Sequence, residues 1–216
     1  MTSGLPKPAE KKRTRGRPAC SASVGADVLL RSARRTFAKR GFAASSVREI
    51  ARDAGVDPAL ISHHFGSKEA LWIAVVEQIA QQAAPLIDAT TYLRSSSMSP
   101  RARVEKAMSL FIDLVFDEPD VGMFFSTAAT EEDERLNTLI GRLVRPYHDV
   151  FVPLLVDAVK AKELKRNDPE VMFSMLMNAV SKTVAYSHVL RAFSSLPENQ
   201  GSFKRAVLST TLSMLA

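Results

Sequence analysis

The sequence has little cysteine and no long apolar run, and each of these absences excludes a class of protein. Cys20 is the single cysteine, so neither an intrachain disulfide nor a cysteine-based metal site can form. No apolar run approaches the roughly 18–20 residues that span a bilayer. The basic N-terminus continues into Arg15–Pro18 rather than into the apolar stretch of a signal peptide. We therefore expect a soluble protein in a reducing cytoplasm, without a membrane partner.

The chain also lacks the patterns by which enzymes bind phosphate or activate a nucleophile. It has no glycine-rich phosphate loop, no nucleophile elbow and no cluster of metal-ligand side chains. His63 and His64 are neighbours, but no third ligand lies near them in the sequence, so we interpret them as ordinary surface side chains. The sequence predicts no enzyme activity, no cofactor and no bound metal.

Strand-like alternation of apolar and polar residues is absent over any useful length, whereas helical spacing recurs throughout. The predicted fold class is all-α. Positive charge is plentiful and concentrated near the N-terminus. Residues 1–20 carry six basic residues and one acidic residue, residues 21–70 carry eight and five, and the whole chain has a net charge of +6. A cationic N-terminal third attached to a slightly acidic body is suited to binding phosphate backbones.

Two short helices joined by a tight turn are predicted for Ser45–Phe65, around which the rest of the chain is organised. Ser46 can cap the first helix, and Glu49, three residues later, completes a capping box. Gly55 suits the end of that helix because it tolerates a positive φ. Asp57 can cap the second helix, and Pro58 suits its first position. The residues that would face a core are Val47, Ile50, Ala51, Ala54, Val56, Ile61 and Phe65.

Such a hairpin can be two ordinary packed helices, or the unit that places a recognition helix in the major groove of DNA. The flanking residues favour DNA binding, because the segment from about Leu29 to Val76 resembles the DNA-binding domain of TetR/AcrR-type transcriptional repressors. The resemblance covers about a quarter of the chain and keeps the motif spacing throughout. Ser62 is a departure, since the family usually carries a tyrosine there. The matching residues are Leu30, Ala33, Phe37, Gly41, Phe42, Ser46, Val47, Ile50, Ala51, Ala54, Gly55, Val56, His64, Phe65, Ser67, Lys68, Glu69 and Leu71.

The recognition helix offers few side chains for bidentate base contacts, since no Arg, Lys, Asn or Gln lies between Asp57 and His64. Arg48, at the start of the preceding helix, is the best candidate for a guanine or phosphate contact. We hypothesise that specificity depends on Arg48, on thymine methyl contacts and on DNA shape. Methyl contacts are assigned to Pro58, Ala59 and Leu60, and hydrogen bonds to Ser62 and His63. The resemblance implies DNA contacts at Ser46, Arg48, Ala59, Ser62, His64 and Lys68.

Two further cationic segments flank the hairpin. Residues 1–23 are predicted to form a disordered basic arm, in which Arg15 and Arg17 around a glycine resemble the core of an AT-hook that lies in a narrow minor groove. A solubilising tail is the alternative interpretation of this arm. On the other side, Ser67 can cap a helix whose first amides, together with Lys68, would clamp a phosphate.

Helical periodicity organises the remaining chain. A first helix is predicted from about Ala26 to Arg40, with a solvated basic face that consists of Arg31, Arg34, Arg35 and Lys39. The helix after Ser67 should run into the body until Pro85 ends or kinks it. Further helices are predicted from Pro100, from Pro119, from the acidic run at Glu131–Glu134 to about Leu164 with kinks at Pro146 and Pro153, from Pro169 to about Phe193, and from about Ser202 to Leu215.

The last two predicted helices are apolar on more than one face, so one face can serve the protein's own core and another a partner. A two-fold four-helix interface follows, as the resemblance also implies, with a large monomeric core as the alternative. The predicted interface residues are Met172, Leu176, Val180, Val184, Phe203, Val207, Thr210 and Met214. The resemblance further implies an effector pocket, and the kinked helices suit an apolar cavity with a few polar groups. Its predicted lining is Met108, Phe111, Phe125, His148, Phe151, Met175 and His188.

These patterns predict a homodimeric DNA-binding transcriptional regulator, a repressor released from a palindromic double-stranded operator by a small apolar or amphipathic effector. The predicted organisation is the basic arm at residues 1–23, a three-helix helix-turn-helix DNA-binding domain at 24–70, and a larger helical effector-binding and dimerisation domain at 71–216. The expected location is the cytoplasm, at the nucleoid. A non-specific architectural DNA-binding protein that uses the basic arm is the alternative function.

Overall fold

The computed structural model describes residues 20–130 and 133–215, and these residues contain helices and turns but no strand. The predicted all-α fold class is therefore confirmed. A π-helical segment, Ile140–Val144, and a 3₁₀ turn, Leu196–Glu198, occur besides the α-helices. The α-helices are α1 (Cys20–Arg40), α2 (Val47–Ala54), α3 (Pro58–Phe65), α4 (Lys68–Leu93), α5 (Pro100–Asp117), α6 (Pro119–Ala128), α7 (Asp133–Leu139), α8 (Arg145–Lys160), α9 (Pro169–Ala185), α10 (Ser187–Leu190) and α11 (Gln200–Met214).

Two hydrophobic cores hold these helices together, and α4 contributes to both. The first core contains α1, α2, α3 and the first half of α4, with Phe124 and Ala128 of α6 and Leu139 of α7. Trp72, the single tryptophan, is buried there with its ring centroid 6.0 Å from that of Phe124. The second core contains the rest of α4 with α5, α8, α9 and α11. Because α6 and α7 enter the first core, the helix-turn-helix unit packs directly against the body.

The helix-turn-helix forms with the caps that the sequence predicts. The side chain of Ser46 accepts a hydrogen bond from the N–H of Glu49 at 3.2 Å, and Asp57 accepts one from the N–H of Ala59 at 2.8 Å. Gly55 ends α2 with φ 68°, in the left-handed region that a side chain would strain. The turn thereby sets the direction in which α3 leaves α2.

Both long helices of the first core exceed their predicted lengths. α1 begins at Cys20 rather than at about Ala26, because no proline interrupts the small residues before Ala26, and the helix takes residues that were assigned to the arm. α4 passes through Pro85 and ends at Leu93. Pro85 is exposed, while Leu86, Thr90 and Leu93 beyond it are buried. Burial of this second half offsets the hydrogen bond that the proline removes.

Among the described residues, α4 is the one helix that is long and apolar enough, by length and composition, to cross a membrane. Eight of its residues are buried, and the two cores use them: Leu71, Trp72, Val75, Val76, Ile79, Leu86, Thr90 and Leu93. A helix shared by two cores needs apolar residues on more than one face, so this composition also follows from its place in the fold.

The predicted long helix from Glu131 to about Leu164, with kinks at Pro146 and Pro153, is interrupted by a π-helical segment just before Pro146, whereas α8 continues through Pro153. α7, the π-helical segment and α8 follow one another without a gap from Asp133 to Lys160. The N–H of Arg145 donates to the carbonyl of Ile140, five residues earlier. Pro146 has no N–H with which to continue the ordinary ladder, and a π turn accommodates the interruption by widening the helix.

The predicted helix from Pro169 to Phe193 is broken near its end. α9 stops at Ala185, Tyr186 adopts φ −102° and ψ 25°, and α10 forms a separate short turn. α11 begins at Gln200, slightly before the predicted start, because the side chain of Asn199 accepts a hydrogen bond from the N–H of Ser202 at 2.9 Å and caps it.

Candidate functional site

The outer surface of the hairpin carries most of the residues predicted to contact DNA. Arg48 is exposed, and no side chain among the described residues forms an ion pair with it. Leu60 is partly exposed, whereas Ile61 is buried and fixes the opposite face of α3 in the first core. The remaining predicted residues of this surface are all exposed, namely Ser46, Pro58, Ala59, Ser62, His63 and His64. The fold thus leaves all of them accessible at the outer surface of the hairpin.

Two contacts, one buried and one at the surface, hold the hairpin against α1. The hydroxyl of Ser32 donates to the carbonyl of Ile50 at 3.1 Å inside the first core. At the surface, the guanidinium of Arg40 lies 2.8 Å from the carboxylate of Glu49. α2 is therefore tied to α1 at two points, and α3 follows because Ile50 and Ile61 share the same core.

Lys68, which the sequence predicts to contact a phosphate, also forms contacts within the protein. Its ammonium donates to the carbonyls of Phe42 and Ser45, at 2.9 and 3.0 Å, and lies 4.2 Å from the centroid of the Phe42 ring. An ammonium has three N–H donors, so one stays available for a phosphate. Lys68 therefore fixes the loop between α1 and α2, which precedes the cap of the hairpin. Arg15 and Arg17 of the predicted arm lie outside the described residues.

No group of three potential metal-ligand side chains occurs in the part of the chain that the structure describes. The rings of His63 and His64 have their centroids 5.6 Å apart in an edge-to-face arrangement on the exposed side of α3. Both histidines are thus placed as surface residues of the recognition helix.

The body contains an apolar cavity of about 450 Å³ between α4, α5, α6, α8 and α9. This size lies within the usual range for small-molecule sites. The π-helical segment borders the cavity through Leu143 and Val144. The other lining residues are Ile79, Ala83, Leu86, Phe111, Leu114, Val115, Glu118, Val121, Gly122, Phe125, Ser126, Tyr147, His148, Glu170, Phe173, Ser174, Met177, Asn178 and Ser181.

Three of the seven residues predicted for an effector pocket line this cavity, namely Phe111, Phe125 and His148. The other four predicted residues do not line it. Met108 and Phe151 are fully buried within the second core, while Met175 and His188 are exposed and do not line the cavity. These helices carry apolar residues on every face, so the sequence alone does not show which face borders the cavity.

The pKa is raised for two side chains that line the cavity, His148 and Tyr147. His148 contacts Asp149 at 2.8 Å through Nδ1 and Glu170 at 2.6 Å through Nε2. The hydrogen bond to Asp149, and then the one to Glu170, raise the pKa of His148 above its ordinary value of 6.5. Burial raises the pKa of Tyr147, so its phenol stays protonated, and it donates to the carbonyl of Ala107 at 3.4 Å.

A buried ion cluster connects the cavity wall with the DNA-binding helices, and the sequence did not reveal it. Arg34 was predicted on a solvated face of α1, but its side chain is only 2% exposed. It bonds to Glu118 and Asp120 at the start of α6, with nitrogen–oxygen distances of 2.5 and 3.0 Å, and to Gln82 of α4 at 3.1 Å. Glu118 is also a lining residue of the cavity. The missed signal was the pair of carboxylates around Pro119, which can satisfy a buried guanidinium.

Most of the residues predicted to form the dimer interface are covered within a single copy of the chain. Six of the eight are buried in the second core of a single copy, namely Met172, Leu176, Val180, Val184, Phe203 and Val207. Thr210 and Met214 are exposed. The large apolar side chains left exposed in this region are instead Val171, Met175, Tyr186, Val189, Phe193 and Met214. Helical spacing revealed two apolar faces, and packing of the body decided which one is covered.

Comparison with known proteins shows what this chain is similar to. Residues 29–75 match the model of the family described as "Bacterial regulatory proteins, tetR family". The transcriptional regulator BetI of Rhizobium meliloti (strain 1021) is 33% identical over 123 residues, which cover 55% of this chain and 59% of BetI. The transcriptional repressor NicS of Pseudomonas putida is 28% identical over 162 residues, which cover 71% of each chain.

The solved structures agree at the level of the fold. The transcriptional regulator FadR from Bacillus subtilis, in complex with stearoyl-CoA, matches with a TM-score of 0.62 and 17% identity, over 88% of this chain and 99% of FadR. The BetI match spans a little over half of that relative's length. These relatives are regulators and not enzymes, and the family match covers the whole helix-turn-helix with the start of α4. The chain therefore contains, at residues 29–75, the segment that the tetR family model describes, and it is similar to helix-turn-helix transcriptional regulators.

Proposed function

We propose that this regulator is a homodimeric repressor that a small apolar or amphipathic effector releases from a palindromic operator. The observation that carries the proposal is that the cavity and the helix-turn-helix share structural elements. Ile79 of α4 lines the cavity and also belongs to the first core. Glu118 lines the cavity and pairs with Arg34 of α1. A ligand in the cavity that displaces α4 or α6 therefore also displaces the first core, against which the recognition helix packs.

The coupling requires an effector with different affinities for two dimer geometries, one that fits the operator and one that does not. Two links carry the displacement in addition to Arg34. The hydroxyl of Thr127 in α6 donates to the carbonyl of Ala38 at 2.8 Å. Arg142 of the π-helical segment pairs with Glu77 of α4 at 3.2 Å. Each link joins an element of the body to a helix of the first core.

The operator is contacted by the exposed face of α3 and by the start of α2. Arg48 supplies the strongest polar contact, and the small apolar residues Pro58 and Ala59 accept thymine methyl groups. The basic segment that contains Arg15 and Arg17 adds phosphate or minor-groove binding. A DNA-binding domain that includes the whole of α1 and extends to residue 70, a body at residues 71–216, and a location at the nucleoid in the cytoplasm complete the proposal.

The dimer forms through the exposed apolar patch that α9, α10 and α11 leave uncovered. Val171, Met175 and Ala179 follow one another at four-residue spacing along α9, and all three are exposed. Phe193 is 84% exposed beside α10, and Met214 is 47% exposed on α11. An apolar patch of this kind on a soluble surface is typical of a protein interface. Two copies related by two-fold symmetry would bury it and present two recognition helices to successive major grooves.

The test is selection of bound sequences from a random DNA pool by the purified protein, with its mass in solution measured by sedimentation. We expect an enriched palindrome, a dimer, and a specificity ratio over random duplex of at least about 10³. Equal affinity for palindrome and random duplex, with a steep salt dependence, would instead favour the architectural alternative that rests on the basic arm. A monomer at micromolar concentration would contradict the proposed dimer.

A further inference from the structure

Among the side chains that line the cavity, acidic groups outnumber basic ones. Its walls are mostly apolar, and the charged or titratable lining side chains are Glu118, Glu170, His148 and the protonated Tyr147. No lysine or arginine is among the described residues that line it. An anionic head group would therefore enter a site that offers two carboxylates and only one side chain able to become cationic.

Of the two carboxylates, Glu170 belongs to the cluster that keeps an excess of negative charge. Glu118 shares the buried guanidinium of Arg34 with Asp120, and Asp120 also lies 3.9 Å from Arg35, so this cluster is close to neutral. Glu170 shares His148 with Asp149, so two carboxylates face one group, which is at most singly positive. The cluster at His148 therefore carries a net charge of −1 or below at neutral pH.

We propose that the effector is a cationic amphiphile, which has an apolar body for the cavity and an amine or quaternary ammonium group that lies near Glu170. This inference rests on the proposed function, since it assumes that the cavity is the effector site. Glu170 is 62% exposed and Glu118 is 32% exposed, so the cation would bind at the wetter end of the cavity beside α9. The phenyl rings of Phe111 and Phe173 line the same space and can accept a cation over their faces.

The overall charge of the protein makes the inference specific. At +6, the chain attracts anions to its surface at long range and repels cations. A preference for a cationic ligand would thus oppose the global field and must come from local groups. A partly exposed carboxylate at contact distance in the His148 cluster gives an expected preference of about tenfold over a neutral analogue.

The experiment compares three probes with the same ten-carbon chain and different head groups: decyltrimethylammonium, decan-1-ol and decanoate. Each is titrated calorimetrically into the full chain below its micelle concentration. We expect decyltrimethylammonium to bind about tenfold more tightly than decan-1-ol, and decanoate to bind most weakly. Equal or tighter binding of decanoate would overturn the charge selectivity, as would a failure of all three probes to bind.

Two variants localise the selectivity. Glu170→Gln removes a carboxylate that lines the cavity, and we expect it to lose most of the tenfold preference without weakening decan-1-ol. Asp149→Asn is the matched control, because it removes one charge and one contact of the same histidine but does not line the cavity. Loss of the preference in both variants, or in neither, would contradict a head-group site at Glu170.

Operator release separates this inference from the proposed function. If decyltrimethylammonium binds with the expected dependence on Glu170 but leaves operator affinity unchanged, the ligand class stands and the effector mechanism fails. If decanoate both binds and releases operator, the mechanism stands and the ligand class is wrong.

Discussion

Replacing Arg34 should damage the protein far more than replacing its neighbour Arg35. Arg34→Met keeps the apolar stem but removes the guanidinium that Glu118 and Asp120 share. Removal of one member of a buried ion cluster costs about 3–5 kcal/mol, because the remaining charges lose their partner in a poorly solvated place. The carboxylates here are 32% and 25% exposed, so water compensates part of the loss, and about 3 kcal/mol is expected.

Urea unfolding at equilibrium, followed by circular dichroism and by the fluorescence of Trp72, measures this cost. For a chain of this size, a loss of about 3 kcal/mol corresponds to a fall in Tm of roughly 6–12 °C. The control is Arg35→Met on the same helix, where the side chain is 70% exposed and 3.9 Å from Asp120. A surface pair of this kind contributes about 0–1 kcal/mol.

A coupled variant tests the cause. If Glu118→Gln and Asp120→Asn are already present, Arg34→Met should cost at least about 1 kcal/mol less than it does in the parent protein, because fewer charges are left unpaired. Strict additivity, or a cost for Arg34→Met no larger than that of Arg35→Met, would refute the buried cluster as a source of stability.

Four further predictions follow from single contacts. Gly122→Ala should destabilise the fold by about 1–3 kcal/mol, measured by thermal unfolding, because its Cβ would lie 3.0 Å from the carbonyl oxygen of Ser181 on α9. Arg48→Ala should lower the specificity ratio for the selected operator by about 1–3 kcal/mol in competition binding, and an unchanged ratio would show that Arg48 does not read bases. Met175→Glu should yield a monomer in sedimentation while circular dichroism stays unchanged; a persistent dimer would exclude the α9 patch. An NMR titration should give His148 a pKa above 6.5, and this pKa should fall toward 6.5 in Asp149→Asn. The contacts of protonated His148 should stabilise the fold below about pH 6.5, and this stabilisation should be lost as pH rises through the folded-state pKa.

The helix-turn-helix could be predicted in detail because its signals are local. A cap residue acts on an N–H two or three positions away, and a glycine with positive φ ends a helix whatever surrounds it. Ser46, Gly55 and Asp57 therefore have the same role in the structure as in the sequence pattern. The exposed face of α3 followed from the same spacing, since Ile61 had to face inward.

The body was predicted less well because its helices are apolar all round. Spacing along α9 gives two candidate stripes, and only contact with the rest of the second core shows that Met172 and Leu176 are covered while Met175 is free. The same ambiguity applies to Met108 and Phe151, which were predicted to line the effector pocket and are buried in the second core. The burial of Arg34 could not be inferred locally either, because its partners lie 84 and 86 residues away.

The sequence by itself determined the all-α class, the resemblance of the hairpin and its flanks to a family of regulators, the capped hairpin and the cationic N-terminal third, since these depend on short-range spacing, cap chemistry and residue type. Tertiary structure alone decided which apolar face is buried, where the cavity opens, and that a basic side chain of α1 neutralises carboxylates at its wall. The physical reason is that burial and charge pairing between distant segments are properties of packing, and a helix with several apolar faces does not specify by its own composition which of them the rest of the chain will cover.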